Sequence, residues 1–265
     1  MEQDVNALCA RKFRTAKSKH DQWYGLWAEC YDYALPQRAR SVPASRRSES
    51  LYDATALDAV DQLASLLLGN LTPPLTPWFG LKAGTDLTDE DAKAITPVLE
   101  KATRLMQAHF DQSNFIVEIH QCFLDLVVAG TASLVFEEAD IGELSAFHFA
   151  ANPLSDIVMD ESVNGKLDTV FRSIALTPSQ IMARYNGADI PLSLLHKGKL
   201  HPDETFPFLE IVIKHPNEHG YLFVLCNPET FEVIHQSILP HSPFINFRWM
   251  KSPGEVYGRS PVMKA

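Results

Sequence analysis

The chain has 265 residues, of which 46% are hydrophobic and 21% are charged, a balance typical of globular proteins that argues against wholesale disorder. Its formal net charge of -10 argues against a dedicated nucleic-acid-binding protein, because tight, salt-sensitive binding needs clustered Lys and Arg. Its four cysteines include no Cys-x-x-Cys pair, and no apolar run approaches the roughly 20 residues of a membrane span. We therefore expect a soluble protein with reduced cysteines, made in a cytoplasm and without a membrane partner.

The first predicted element is a long helix over residues 4–34. A basic run occupies its first half: Arg11, Lys12, Arg14, Lys17 and Lys19. Such a run is most often a solvated helix face, and the alternative is contact with an acidic neighbour, either DNA or an adjacent subunit. The loop over residues 37–47 then carries four arginines: Arg38, Arg40, Arg46 and Arg47. They suit contact with phosphate or with a subunit, although loops that merely cross a surface look similar.

The chain is organised around residues 48–81. Apolar residues recur there at spacings of three and four, which predicts an amphipathic helix, and the pair of prolines at 73 and 74 ends it. Ser50 is the predicted cap, with Asp53 reaching back to it. A stiff turn then leads toward a strand that begins with Trp78 and Phe79. We expect at least one of these two aromatic residues to be buried against the next core helix.

Two more helices precede a change of pattern near Gly130. Acidic residues at 86–91 favour a helix N-terminus, and that helix runs to about residue 110 with Pro97 as a predicted kink or break. The helix over residues 114–130 is apolar on more than one face, so it is predicted to be central. Short β-type runs follow, with a hairpin signal at residues 164–165 and two short helices at 177–185 and 191–196. The predicted fold is α+β: N-terminal helices followed by one mainly antiparallel sheet.

No stretch of the chain predicts catalysis or a cofactor. There is no phosphate-binding P-loop, no nucleophile elbow and no His-Glu-x-x-His helix. The histidine pairs at 215/219 and 196/201 lie in predicted loops that would give metal ligands little support. Neighbouring carboxylates such as those at 137 and 138 point to opposite faces of a strand. We predict no catalytic, cofactor-binding or metal site.

Two stretches resemble a known family. A Ser-Glu-x-x-Tyr-Asp-x-Thr-Ala opening, a leucine-rich helix, a proline turn and Trp-Phe-x-Leu are similar to the N-terminal part of podovirus-type portal proteins, the bacteriophage head-to-tail connector proteins. The end of the chain, Tyr-Gly-Arg-Ser-Pro-Val, resembles the family segment that leads into a long helix. The residues that carry the resemblance, and to which it assigns a structural role, are Tyr52, Asp53, Trp78, Phe79, Tyr257, Gly258, Ser260 and Pro261.

The resemblance implies a subunit of a twelve-membered portal ring at one capsid vertex. Double-stranded DNA would pass through the ring, and the partners would be the major capsid protein, the terminase motor and tail adaptor proteins. The protein would be made in the bacterial host cytoplasm and reside in the virion. Residues 1–130 and 131–256 would form the helical and β-rich parts of a wing domain, and residues 257–265 would begin a truncated stem-like helix. We expect that the chain as it stands does not form a stable ring.

Two other functions stay open at this point. One is an uncharacterised hydrolase with an unrecognised site. The other is a nucleic-acid-binding module that uses the basic first helix and the arginine-rich loop.

Overall fold

A computed structural model describes residues 5–38, 53–185, 187–215 and 219–264 of the chain. Four helices come first: α1 (Val5–Ala34), α2 (Thr55–Leu71), α3 (Asp89–Gln112) and α4 (Phe115–Ala129). Strands then dominate: β1 (Thr131–Glu138), β2 (Phe147–Asn152), β3 (Ile157–Asp160), β4 (Thr169–Leu176), β5 (Phe206–Lys214), β6 (Tyr221–Cys226), β7 (Val233–Leu239) and β8 (Phe244–Arg248). Short helices α5 (Pro178–Arg184) and α6 (Leu192–Leu200) lie between β4 and β5. The α+β prediction and the change of pattern at Gly130 are confirmed.

The strands form two antiparallel sheets, so the predicted antiparallel pairing is confirmed, and the division into two sheets comes from the structure. The smaller sheet has the order β2-β1-β8, and the larger has the order β3-β4-β5-β6-β7. The chain leaves the small sheet after β2 and returns to pair β8 with β1, at Thr131↔Arg248 through Val135↔Phe244. Alternation of apolar residues identifies a strand, but it does not say which distant strand becomes its neighbour.

Helix α4 lies at the centre of the molecule. Its buried residues include Cys122, Phe123 and Val128, and they share a core with residues of α1, α2 and the small sheet. The helix ends at Gly130, whose φ of 75° is the left-handed conformation that glycine adopts without strain. Gly130 therefore connects α4 directly to β1, with no loop between the helical half and the first strand.

Helix α1 crosses both halves of the molecule. In its N-terminal half Cys9 and Ala16 are buried in the core of the large sheet, beside Phe171. In its C-terminal half Cys30 and Ala34 are buried in the core around α4. A helix of 30 residues is about 45 Å long, which is enough to span the two cores.

Two details of the helices differ from the predictions. Helix α2 begins at Thr55, later than predicted, and Asp53 accepts the Thr55 backbone N–H at 3.0 Å; the predicted cap, Ser50, lies outside the described residues. Helix α3 starts as predicted, with the Thr88 hydroxyl accepting from Asp91 N, but it runs through Pro97 without a break. This part of α3 is exposed, so water can reach the carbonyl that a proline leaves without a donor.

Side chains of α4 cover the outer edge of β2. Asn114 donates from its amide nitrogen to Phe149 O at 2.7 Å and accepts from Phe149 N at 2.9 Å. Glu118 accepts from Ala151 N at 2.7 Å. These bonds satisfy backbone groups that would otherwise offer a pairing edge to another chain. Among the described helices, none is both long and apolar enough to cross a bilayer.

Candidate functional site

Arg38 is held by a buried carboxylate at the start of the arginine-rich loop. Its guanidinium donates to Asp125 Oδ1 at 2.6 Å and to Gln121 O at 3.2 Å, and Tyr31 OH donates to the same Asp125 oxygen at 2.8 Å. Burial raises the pKa of Asp125, while the adjacent Arg38 opposes this shift. Arg38 therefore neutralises an internal charge and fixes the chain at residue 38 to α4. Arg40, Arg46, Arg47 and Tyr52 lie outside the described residues.

The basic run on α1 separates into two groups. Lys17 pairs with Asp21 at 2.9 Å, and Lys19 pairs with Asp160 at 2.7 Å. Arg11, Lys12 and Arg14 form no ion pair with any described residue, and Arg11 and Arg14 are exposed. Within this run, the positive charge that is not used in ion pairs therefore lies in the N-terminal part of α1.

Trp78 and Phe79 anchor the connection between α2 and α3 without being buried. The Trp78 ring stacks on Phe115 of α4, with centroids 5.8 Å apart and planes 7° from parallel, and meets Phe110 edge-on at 5.4 Å. Phe79 packs on Phe110 at 5.6 Å. The predicted contact with the 114–130 helix is correct for Trp78. The predicted burial is wrong, because both side chains are half-exposed at the rim, and no strand forms there.

The second motif, at the end of the chain, is built into the core. Tyr257 is fully buried, and its hydroxyl accepts from Met159 N at 2.9 Å and donates to Met159 O at 3.3 Å. Its ring meets Trp27 of α1 edge-on at 4.8 Å. Burial raises the pKa of Tyr257, so the phenol stays protonated. Tyr257 therefore joins α1 to β3.

Gly258 is required because two backbones touch there. A Cβ on Gly258 would lie 2.2 Å from Gly130 O, and one on Gly130 would lie 2.3 Å from Gly258 O. The Gly258 N–H donates to Thr131 Oγ1 at 2.8 Å, and Trp249 N donates to Gly130 O at 2.9 Å. The resemblance placed these residues in a motif, but only the fold brings them against the end of α4.

Ser260 and Pro261 start a helical turn. The Ser260 hydroxyl accepts from Met263 N at 3.0 Å, and a short 3-10 helix covers Val262–Lys264. Ser260 therefore caps the N-terminus of this turn.

Sequence reasoning missed a buried polar network between the two sheets. Arg172 on β4 and Glu210 on β5 are register partners, with Arg172 Nε donating to Glu210 Oε2 at 2.5 Å. Arg172 also donates to Asn152 Oδ1 of the small sheet at 3.2 Å, and Tyr185 OH donates to Glu210. Arg184 pairs with Glu137 of β1. The sequence carries no signal for this network, because the cross-strand register that makes it is a long-range property.

Two cavities adjoin this network. One, of about 280 Å³, is lined in part by the paired groups Arg172, Tyr185 and Glu210. The other is a cleft of about 780 Å³ whose lining includes Glu137, Glu138, Asp140 and Glu143, so its charge disfavours phosphate. Burial raises the pKa of the Cys9 and Cys226 thiols to about 11 and about 12, which leaves both protonated and unreactive at neutral pH. Within the described residues, no three His, Cys, Asp or Glu side chains converge as metal ligands do.

The fold is α+β, and within it Tyr257 and the ion pairs of Lys19 and Arg184 join the helices to the sheets. The chain belongs to the family described as bacteriophage head to tail connecting protein, whose sequence model matches residues 6–265. It is 26% identical, over 286 aligned positions, to a protein named "Probable portal protein" from Bordetella phage BPP-1. That alignment covers all of this chain and 50% of the relative, so the chain spans about half the length of the curated relative it matches.

Proposed function

We propose that the chain is part of a phage portal subunit. Such subunits form a ring at one vertex of the capsid, with twelve copies by family resemblance, through which double-stranded DNA is packaged and ejected. The observation that carries the proposal is the family match along residues 6–265, which includes both motifs. The major capsid protein, the terminase motor and the tail adaptor proteins are the proposed partners, and the virion is the proposed location. The proposed role is structural and does not include catalysis.

We also propose how the chain divides. Residues 1–130 and 131–256 form the helical and β-rich parts of a wing domain, and residues 257–265 begin a stem-like helix. The Ser260 cap supports that last assignment, because its hydrogen bond to Met263 N is the one that starts a helix. The shared cores of α1 indicate that the first two parts fold as one unit.

The arginine loop is a proposed contact for a neighbouring subunit or for DNA. Arg38 supports the loop from within, since it pairs with Asp125. Arg40, Arg46 and Arg47 are the other arginines of this proposed contact.

Electron microscopy of a chain extended beyond Ala265 tests the proposed function. We expect ring-shaped particles with a central hole, and immunogold labelling of one vertex on phage particles. A folded, extended chain that stays monomeric at every concentration would contradict the proposal. Nucleotide hydrolysis by the isolated chain would instead favour the hydrolase.

A further inference from the structure

Four strands form the outer edges of the two sheets, and on three of them groups of the same chain bind outward backbone atoms. On β2 these groups are the α4 side chains Asn114 and Glu118. On β3 the Tyr257 hydroxyl binds both the N–H and the C=O of Met159. An open edge can pair with a strand of another chain, which is why natural proteins cover such edges.

The third bound edge is β8. Phe244 N donates to Ser242 Oγ at 3.2 Å at the start of the strand. Just beyond its end, Arg259 N donates to Met250 O at 2.9 Å. The chain therefore closes this edge from both ends.

The fourth edge strand is β7, which pairs with β6 alone. A Cβ on Gly220 would lie 2.4 Å from Leu239 O, so that carbonyl points toward β6. Backbone groups alternate in direction along an antiparallel strand. The N–H and C=O groups of Ser237 and Leu239 therefore point toward β6, and those of Gln236 and Ile238 point away from it.

The outer side of β7 stays open over residues 236–238. Asp189 N donates to Ile234 O at 2.7 Å at the start of the strand, but the outward groups of Gln236 and Ile238 form no hydrogen bond with any residue that the structure describes. Gln236 is exposed, and Ile238 is 49% exposed. Residues 235–239 contain no lysine, proline or bulge, the features that usually prevent pairing at an edge. This segment therefore offers two donors and two acceptors to an added strand.

The open segment is complementary to a second copy of itself. In an antiparallel pair with its two-fold axis at Ser237, Gln236 of one copy lies opposite Ile238 of the other, and these residues exchange both hydrogen bonds. His235 lies opposite Leu239, so no like charges oppose each other across the pair. The other three edges carry bonds to their own chain, so β7 is the edge that the described part of a second copy can offer.

We propose that two copies of the chain associate through β7, which joins their five-stranded sheets into one antiparallel sheet of ten strands. Each copy then covers the open edge of the other. The contact is two-fold, so it goes beyond the proposed function and is separate from the head-to-tail contacts that close a ring. The paired segment is short, so the association is weak and depends on concentration.

A cysteine at position 237 gives the direct test. In the pair at the axis the two Cα atoms are about 4.5 Å apart, within the range of about 4.4–6.8 Å that a disulfide spans. In a glutathione buffer that lets disulfides equilibrate, we expect Ser237→Cys to form linked dimers at least about tenfold more readily than Ser173→Cys. Ser173 is the matched control, an exposed serine on β4, and the four native cysteines are buried. Equal yields of dimer from the two variants would overturn the inference.

Sedimentation velocity over a range of concentrations tests the same contact by substitution. Ile238→Pro removes an outward N–H and leaves the bonds to β6 in place, a change that edge strands tolerate. We expect it to lower the association constant at least about tenfold, because one donor in each copy is lost. Ile238→Thr is the matched control, since it keeps both the N–H and a β-branched side chain, and it should retain association.

The outcomes separate this inference from the proposed function. Association that is absent at every concentration, or equal in Ile238→Pro and the unsubstituted chain, would overturn the β7 contact. If Ile238→Pro does not fold, the dimer yields of the two cysteine variants decide. Rings formed by the extended chain without the β7 contact would leave the portal function standing. A β7 dimer without rings from the extended chain would leave the inference standing and refute the function.

Discussion

At the scale of single residues, the charges that look most available for a partner divide into paired and unpaired groups. Arg38, Lys17 and Lys19 neutralise carboxylates of the same chain. An arginine beside a buried aspartate is needed by the fold whether or not a ligand is present. We therefore expect substitution of Arg38 to affect stability more than binding.

Arg38→Ala should lower the free energy of unfolding by about 3 kcal/mol, the lower end for breaking a buried ion pair, because Arg38 retains 27% exposure. Urea denaturation measures the change. The double variant with Asp125→Asn should recover part of the loss, since it also removes the uncompensated charge. Arg14→Ala, which removes an exposed arginine without an ion pair in the described chain, should change stability by no more than about 0.5 kcal/mol. Equal effects of Arg38→Ala and Arg14→Ala would contradict this account.

Glu161 should contribute to the loss of stability in acid. Hydrogen bonds from Arg248 and Lys251 hold the pKa of Glu161 below its usual value of 4.5. The folded state therefore binds that proton less readily than the unfolded state, so the stabilisation is present above pH 4.5 and is lost as the pH falls through the folded pKa. Glu161→Gln should reduce the change in the free energy of unfolding across that pH range by at most about 1 kcal/mol, because solvent screens the ion pairs of Glu161. Glu232→Gln, at an exposed position, is the control. If Glu161→Gln loses stability at the same acidic pH as the unsubstituted chain, the ion pairs of Glu161 contribute nothing to stability.

At the scale of secondary-structure elements, the first motif joins helices to one another, and the second joins the helical half to the sheets. Trp78 stacks on α4 at the rim, and Tyr257 joins α1 to β3 in the core. Between them, the contact of Gly130 with Gly258 sets how closely the end of α4 approaches the last segment. Loss of that contact should therefore loosen the junction of the two halves rather than a single loop.

Three glycine substitutions separate the effect of a steric clash from the effect of a strained backbone conformation. Gly258→Ala adds a clash at 2.2 Å, Gly254→Ala adds only a strained φ of 82° with open space around it, and Gly130→Ala adds both. We expect losses of about 1 kcal/mol for Gly254→Ala, about 1–3 kcal/mol for Gly258→Ala, and more for Gly130→Ala. Thermal denaturation of the three variants gives the order. If Gly254→Ala costs as much as Gly258→Ala, backbone conformation and not close approach explains the glycines.

At the scale of the whole molecule, the net charge of -10 limits how strongly the chain retains DNA. The wall of the proposed channel must let a polyanion pass. Exposed basic residues without an ion pair in the described chain are spread over several elements, for example Arg11 on α1, Lys101 on α3 and Lys214 on β5. The net negative charge of the chain therefore favours transient contact with DNA.

We expect binding to duplex DNA no tighter than about 10⁻⁴ M at physiological salt, the weak end of non-specific binding. Fluorescence anisotropy across a salt series measures the affinity and its slope. Arg11→Glu with Arg14→Glu should weaken that binding in part, while Met182→Asp should not. Tight binding that survives high salt would favour the nucleic-acid-binding module instead.

Local patterns determined most of the elements of this protein. The periodicity around α4, the Thr177 cap of α5 and the glycine that ends α4 depend on neighbours in sequence, so their boundaries were predicted to within a few residues. The motif at residues 257–261 was also identified from the sequence, through its resemblance to portal proteins.

Only the tertiary structure decided how these elements meet. The division into two sheets, the Arg172–Glu210 pair, the capture of Arg38 by Asp125 and the contact of Gly130 with Gly258 all join residues that are far apart in the chain. The exposure of Val98 and Leu105 on α3 is decided in the same way, because periodicity shows that a helix face is apolar but not whether the same chain covers it. Local sequence sets conformation through short-range sterics and hydrogen bonds, whereas pairing and burial depend on the packing of the whole chain.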